Sequence, residues 1–153
     1  MTSDGPRWLD ERQMRAWRGW IEASTRIGRR IDDDLREESD LTSDDYEVLV
    51  RLSEAPDRRL RMADLAQQTM NSPSRLSQRV DRMVRVGLLC REKCEDDRRG
   101  WFAVMTDEGW SRLVAAAPAH VESVRANFIG LLADEEIEFL AELMPRLARI
   151  EGD

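Results

Sequence analysis

Residues 60–109 constrain the fold more than any other part of this 153-residue chain. Two short segments of helical apolar spacing are separated by a tight turn and are followed by two strand-like runs. Ser72 and Pro73 signal a helix start, because the serine side chain caps the first turn and proline needs no N–H partner there. Gly87 suits the left-handed residue that ends a helix. This order predicts a helix-turn-helix followed by a β-hairpin wing.

Positive charge is concentrated in the same region. Residues 58–99 contain 11 Arg and Lys residues against 6 Asp and Glu, whereas the rest of the chain contains 13 against 25. The whole chain has a net charge of −7, which taken alone would argue against a nucleic-acid partner. Affinity for a phosphate backbone depends on local concentration of cations, so this distribution favours DNA binding through the winged region.

Long helices with one apolar face are predicted on either side, because apolar residues recur at three- and four-residue steps. These stripes exceed what a small winged-helix core can cover, so we expect a second copy to bury them. Pro118 predicts a break between two helices, and Asp134 is predicted to cap the last one. The predicted fold is mainly α with a small antiparallel β-hairpin wing, as one unit of residues 1–153 with a DNA-binding region at 40–109 and dimerisation helices at 7–37 and 119–150.

The fourth predicted helix, residues 73–86, has an apolar and a polar side. Leu76, Val80 and Met83 share one face at 100° per residue and are expected in the core. The opposite face presents arginine and glutamine, which can bridge the acceptors of guanine or pair with adenine; a solvated surface without a partner is the alternative. Arg85 points the same way. The DNA contacts predicted on this helix and its cap are Ser72, Ser74, Arg75, Gln78, Arg79 and Arg82.

The tip of the predicted hairpin adds a second basic element. Arg98 and Arg99 lie there beside Asp97, and two adjacent arginines on a thin protrusion can enter a narrow minor groove. Acidic neighbours favour insertion of the tip over broad contact, and an ordinary polar turn is the alternative. Candidate phosphate contacts just before the third helix, unless that segment is only a solvated loop, are Arg58, Arg59 and Arg61.

Other chemistry is sparse. His120 is the only histidine, so neither a metal site nor a cofactor is expected. Cys90 and Cys94 are four strand steps or about 13 Å apart, too far for a disulfide, and reduced thiols are favoured over a redox switch. No phosphate-cradling glycine loop or serine elbow appears, so no enzyme is predicted. The lack of a long apolar run or secretory signal predicts a cytoplasmic protein without a membrane span.

Several segments together resemble the MarR family of bacterial transcriptional regulators. Asp97-Arg98-Arg99, then five residues, then Met105-Thr106 and Gly109 are similar to that family's D-x-R, x5, L-T-x-x-G pattern, with methionine in place of leucine. The segments DLREESDLTSDDYEVL, RMADLAQQ and SPSRLSQRVDRMVRVGLL are similar to the family as well, in the same order.

The resemblance implies a homodimer held by the first and last helices that binds palindromic double-stranded DNA, commonly as a repressor. It also implies Asp97 and Arg99 as the wing pair, and release of DNA when a small aromatic effector binds between the dimer helices and the winged region. The alternative function is a winged-helix module that binds a protein and not DNA. Candidate pocket residues, each also explained by ordinary packing, are Trp17, Trp20, Trp110 and His120.

Overall fold

The computed structural model describes residues 6–94 and 100–148, and within these ranges the chain is mainly α, as predicted. In chain order the elements are α1 (Glu11–Ser39), α2 (Ser43–Glu54), β1 (Arg59–Arg61), α3 (Met62–Gln68), α4 (Pro73–Arg85), β2 (Leu89–Lys93), β3 (Trp101–Met105), α5 (Asp107–Asn127) and α6 (Asp134–Ala148). None of the helices in the two described ranges is both long and apolar enough to cross a bilayer.

Side-chain caps set the helix starts. Thr42 accepts a hydrogen bond from a backbone N–H group in the first turn of α2. Ser72 does the same for α4, and Pro73 takes the first position of that helix, both as predicted. Asp10 forms a capping box at the start of α1, so this helix begins at Glu11 and not four residues earlier, where the apolar pattern placed it.

The wing is a three-stranded antiparallel sheet in the order β1-β3-β2, one strand more than the predicted hairpin. In the additional strand, β1, Leu60 pairs with Ala103 of β3 and Arg61 pairs with Phe102. The sequence showed no strand here, because three residues are too few for a period of two to be recognised. The alternative of a solvated loop at Arg59 and Arg61 is therefore wrong.

The core is formed by one face of each element from the end of α1 to the middle of α5. Leu76, Val80 and Met83 of α4 are fully buried, as predicted. The C-terminal half of α1 runs antiparallel to α5, since Ser39 O accepts from Arg112 Nη1 at 3.1 Å and Asp34, one turn earlier, accepts from Ser123 Oγ at 2.7 Å. This half-buried polar contact ties the long first helix to the winged region.

Two predicted helix boundaries after the wing are wrong. Pro118 lies inside one continuous helix, α5, and does not divide it. Leu113 and Ala116 before the proline and Ser123 after it are all buried, so packing on both sides outweighs the hydrogen bond that proline cannot make. Asp134 is the first residue of α6 and not its cap, because the N–H that precedes the helix bonds to the Glu136 carboxylate at 2.8 Å.

Candidate nucleic-acid interface

α4 presents its polar side to solvent. The side chains opposite its buried face are long hydrogen-bonding groups, and the two serines of its first turn and cap are exposed with them. The helix follows a short turn after α3, so its N-terminal end is free of covering chain, as a helix that enters a groove requires. We call the exposed side the reading face; it consists of Arg75, Gln78, Arg82 and Arg85.

Arg79 was predicted to contact DNA but lies at the border between the reading face and the core. Its Nη1 donates to Asp45 Oδ1 at 2.9 Å and to Thr42 Oγ1 at 3.2 Å, and its Nη2 lies 2.6 Å from Asp44 Oδ2. Only 19% of its side chain is exposed. Acceptors at the start of α2 therefore bind the Arg79 guanidinium.

Asp45 is the buried partner that links α2 to α4. Its carboxylate also accepts a hydrogen bond from Arg82, whose side chain is nearly half exposed. Burial would raise the pKa of Asp45, but hydrogen bonds from Arg82, Thr42 and Arg79 lower it below its ordinary value, so the carboxylate is charged at neutral pH. Asp45 was not among the site residues predicted from the sequence; the T-x-x-D spacing of a capping box was the available signal.

The same turn of α2 is bound to α1. The Ser43 N–H donates to Asp32 Oδ1 at 2.7 Å, and Arg36 Nε donates to Asp32 Oδ2 at 2.7 Å. Burial would raise the pKa of Asp32, yet these hydrogen bonds lower it. The start of α2 is thus held from one side by α1 and from the other by α4, which fixes the reading face relative to the long helix.

The wing is fixed to one flank of α4, between its reading face and its buried face. Arg91 of β2 donates to Ser77 Oγ at 3.0 Å and to the Ser77 carbonyl at 3.2 Å, and its Nη2 lies 2.9 Å from Asp81 Oδ1. Helix and sheet therefore form one rigid element near the base of the wing. The predicted tip residues Asp97, Arg98 and Arg99 lie outside the described residues.

The three arginines around β1 lie against aromatic rings. The Arg58 guanidinium carbon is 4.1 Å from the ring centroid of Trp110, and that of Arg59 is 4.2 Å from the centroid of Phe102. The Arg61 guanidinium lies farther from the same phenylalanine ring, at 5.5 Å. Stacking orients these cations, and two of them also face carboxylates: Arg58 Nη1 lies 3.7 Å from Asp107 Oδ1, and Arg59 Nη1 lies 3.4 Å from Glu92 Oε2. Their role as phosphate contacts stays a prediction.

Trp17, Trp20, Trp110 and His120 do not form one pocket within a single chain. Trp20 precedes Ser39 by 19 residues on α1, about 28 Å of helix, whereas Trp110 lies near Ser39 at the start of α5. His120 packs on Tyr46 with ring centroids 4.3 Å apart, and burial lowers its pKa. Packing within the chain thus accounts for His120, whereas Trp17, Trp20 and Trp110 keep between 38% and 55% of their surface exposed. Their role as pocket residues stays a prediction.

Gly109 explains the close fit between α5 and the wing. Thr106 caps α5 by accepting from the Gly109 N–H at 3.0 Å, and its hydroxyl lies 2.6 Å from the carbonyl oxygen of Gly87. A Cβ atom at Gly109 would lie 2.2 Å from the Leu88 carbonyl oxygen and 2.9 Å from Met105 Cγ. Only glycine fits here without a shift of the backbone, which gives the M-T-x-x-G segment a steric reason.

Apolar surface is left uncovered on α1 and α6. Trp17, Trp20 and Ile21 share one face of α1 and are each about half exposed. α6 has no buried residue over its described length, although apolar side chains recur along it. A 15-residue helix with no fully buried residue in its own chain needs a second surface for stability in water.

Comparison with known proteins relates this architecture to regulators of transcription. A sequence profile of the MarR family matches residues 39–100. The crystal structure of Sco3205, a MarR family transcriptional regulator from Streptomyces coelicolor, in complex with DNA superposes with a TM-score of 0.91 at 40% identity, covering 95% of this chain and 91% of that one. The structure of AbsC, a MarR family transcriptional regulator from the same organism, superposes with a TM-score of 0.89 at 44% identity, covering 97% of this chain and 100% of that one. Transcriptional regulator HosA of Escherichia coli is 31% identical over 108 residues, 71% of this chain and 78% of HosA.

Proposed function

Since this chain belongs to the MarR family of transcriptional regulators and is itself a DNA-binding regulator, we propose that the reading face of α4 enters the major groove. One observation carries the assignment: arginine and glutamine side chains are exposed together on a helix whose opposite face is fully buried. Long hydrogen-bonding side chains grouped on one helix face match the acceptors and donors that base edges offer in the major groove.

Arg75 and Gln78 are the proposed base readers, because they lie in the first turns of α4, which reach deepest into a groove. Arg82 and Arg85 extend the face along the helix. Ser72 and Ser74 at the N-terminal end are proposed to contact phosphate, where exposed N–H groups and the helix dipole also favour an anion. Arg58, Arg59 and Arg61 are proposed as further phosphate contacts from the sheet.

The wing is proposed to reach the adjacent minor groove with Arg98 and Arg99, oriented by Asp97. Support comes from the described base of the wing, where Arg91 fixes β2 to the flank of α4 beside the reading face. A rigid base is needed if a thin tip is to be inserted at a constant distance from the recognition helix. The tip itself contributes charge and not sequence-specific hydrogen bonds.

A homodimer through the predicted dimerisation regions 7–37 and 119–150 is proposed to place two reading faces on one DNA duplex. Two-fold symmetry then requires a palindromic operator with half-sites about 34 to 36 Å apart. A repressor of nearby genes is the proposed regulatory outcome, acting on the chromosome in the cytoplasm by binding and without catalysis. A small aromatic effector is proposed only at the dimer face, where Trp17 and Trp20 would meet a second copy.

Salt dependence tests the proposed function. Binding of duplex DNA between about 50 and 200 mM salt is expected to weaken by orders of magnitude, because phosphate contacts release counterions. Arg58→Ala is expected to weaken all sequences alike and to lower the slope by about 0.9 for each lost phosphate contact. Arg26→Ala, which removes an exposed arginine of α1 paired with Glu22, is the matched control and should leave the slope unchanged.

A different result would favour the alternative function. A folded protein that shows no salt-sensitive affinity for any duplex near physiological conditions would be a protein-interaction module, and the proposal would fail. Equal slopes for wild type and Arg58→Ala would leave DNA binding in place but remove the sheet arginine from the contact surface.

A further inference from the structure

The cations of α4 are not equivalent, because a buried carboxylate lies beneath two of them. The Asp45 side chain is 3% exposed and touches both Arg79 and Arg82. Arg75, one turn before Arg79, is exposed on the reading face. The long polar side chains of α4 therefore form two groups. One group is exposed on the reading face without contact to Asp45, and the other is bound by Asp45. The first group is Arg75, Gln78 and Arg85, and the second is Arg79 and Arg82.

The positive charge of Arg79 is neutralised by neighbouring carboxylates of the same chain. Carboxylates of Asp44 and Asp45 and the hydroxyl of Thr42 all accept from its two Nη atoms. Moving Arg79 out of this cluster would break its hydrogen bonds to a buried carboxylate and leave Arg82 as the remaining cation beside Asp45, so the cluster opposes that movement. While the Arg79 guanidinium is paired with the carboxylates of α2, it cannot replace counterions on the DNA phosphates.

Arg82 is held at one end only. One Nη atom donates to Asp45 Oδ1, and 46% of the side chain remains exposed. The guanidinium is planar, so a hydrogen bond at one Nη atom restricts the directions in which its remaining donors can point. A side chain oriented before binding loses less conformational entropy on contact with DNA. Asp45 thus orients Arg82 before DNA binds and holds Arg79 away from the DNA.

We propose that Asp45 is a specificity-determining positioning residue, which keeps Arg79 away from DNA and orients Arg82 toward the groove. The inference rests on the proposed function of the reading face and revises the sequence-based assignment of Arg79 as a DNA contact. Fewer free cations reduce affinity for any phosphate backbone, and an oriented guanidinium favours the correct base edge. Discrimination between operator and random DNA rises for both reasons.

The first test compares Arg79 with an arginine that is proposed to contact phosphate. Arg79→Met is expected to leave the salt dependence of DNA binding unchanged, because that charge is already neutralised. Arg58→Met keeps a similar apolar stem and is expected to lower the slope by about 0.9 for each protomer. Equal loss of slope in the two variants would overturn the inference. Wild type measured in the same assay shows separately whether the proposed function holds.

The second test removes the carboxylate. Asp45→Asn is expected to bind random duplex DNA several-fold more tightly, with a slope steeper by up to about 0.9 for each guanidinium released, while its preference for operator over random DNA falls. Glu47→Gln, in the same helix and paired with Arg51, is the control for the same change in net charge. A merely structural role of Asp45 would weaken both affinities without steepening the slope, and that result would contradict the inference.

Wild-type protein gives a third measurement that needs no stable variant. The Nε–H of Arg79 is buried and has no acceptor among the described residues, so its NMR resonance should be protected from solvent. On addition of operator DNA this resonance is expected to keep its position while that of Arg75 moves. A shift of the Arg79 resonance as large as that of Arg75 would overturn the inference even if Asp45→Asn failed to fold.

Discussion

Ile21→Glu is expected to separate the homodimer and to weaken operator binding by about 100-fold or more, since one reading face then binds where two bound before. Ile21 shares the uncovered face of α1 with Trp17 and Trp20 and is 45% exposed in the single chain. A glutamate there leaves the helix intact but would place a charge in an apolar interface without a partner. Sedimentation equilibrium and DNA anisotropy on the same sample measure the two effects together.

Arg15→Glu provides the matched control for this variant. It changes charge on the opposite side of α1, two turns from Ile21, and is expected to leave both the dimer and the operator affinity nearly unchanged. Circular dichroism should show native helix content for both proteins. An Ile21→Glu protein that remained dimeric and bound DNA like wild type would place the dimer interface elsewhere on the surface.

Gly109→Ala is expected to destabilise the fold by about 3 kcal/mol, at the upper end of overpacking effects. The added methyl group would lie 2.2 Å from the Leu88 carbonyl oxygen, so α5 must move away from the wing. For a chain of this length the corresponding loss in Tm is roughly 6 to 12 °C, measurable by calorimetry. Weaker DNA binding should follow, because the same junction carries β2 and β3.

Gly19→Ala tests whether the effect belongs to the position or to the residue type. No atom lies within 4 Å of a Cβ built at Gly19, which is in the exposed part of α1. Alanine there should raise stability by up to about 1 kcal/mol through its better helix propensity. Equal melting temperatures for Gly109→Ala and wild type would show that α5 is not packed against Leu88 as described.

Local features of the fold could be predicted from the sequence because their causes are local. Thr42, Ser72 and Thr106 cap helices through hydrogen bonds that span three residues. Gly87 adopts a φ of 79°, the left-handed conformation predicted for the end of α4. The buried and exposed faces of α4 follow from its period alone.

Contacts between distant residues could not be predicted in this way. Arg79 and Asp45 are separated by 34 residues, and helical spacing left Arg79 beside the reading face with no sign of its partner. β1 was missed because it is short and its partner strand, β3, is distant in the sequence. Pro118 was taken for a break because the burial of its neighbours cannot be seen in the sequence. Each miss is a case in which tertiary packing outweighs a local preference.

Selection of duplexes from random DNA, carried out in parallel with wild type, Arg75→Ala and Gln78→Ala, tests the central claim most directly. Wild type is expected to enrich a two-fold symmetric sequence with half-sites one helical turn apart. Each variant should lose preference at one base position in both half-sites, a discrimination of about 1 to 3 kcal/mol per contact. Enrichment of the same sequence with the same preference by all three proteins, or of no sequence by wild type, would contradict the assignment of α4 as the helix that reads DNA.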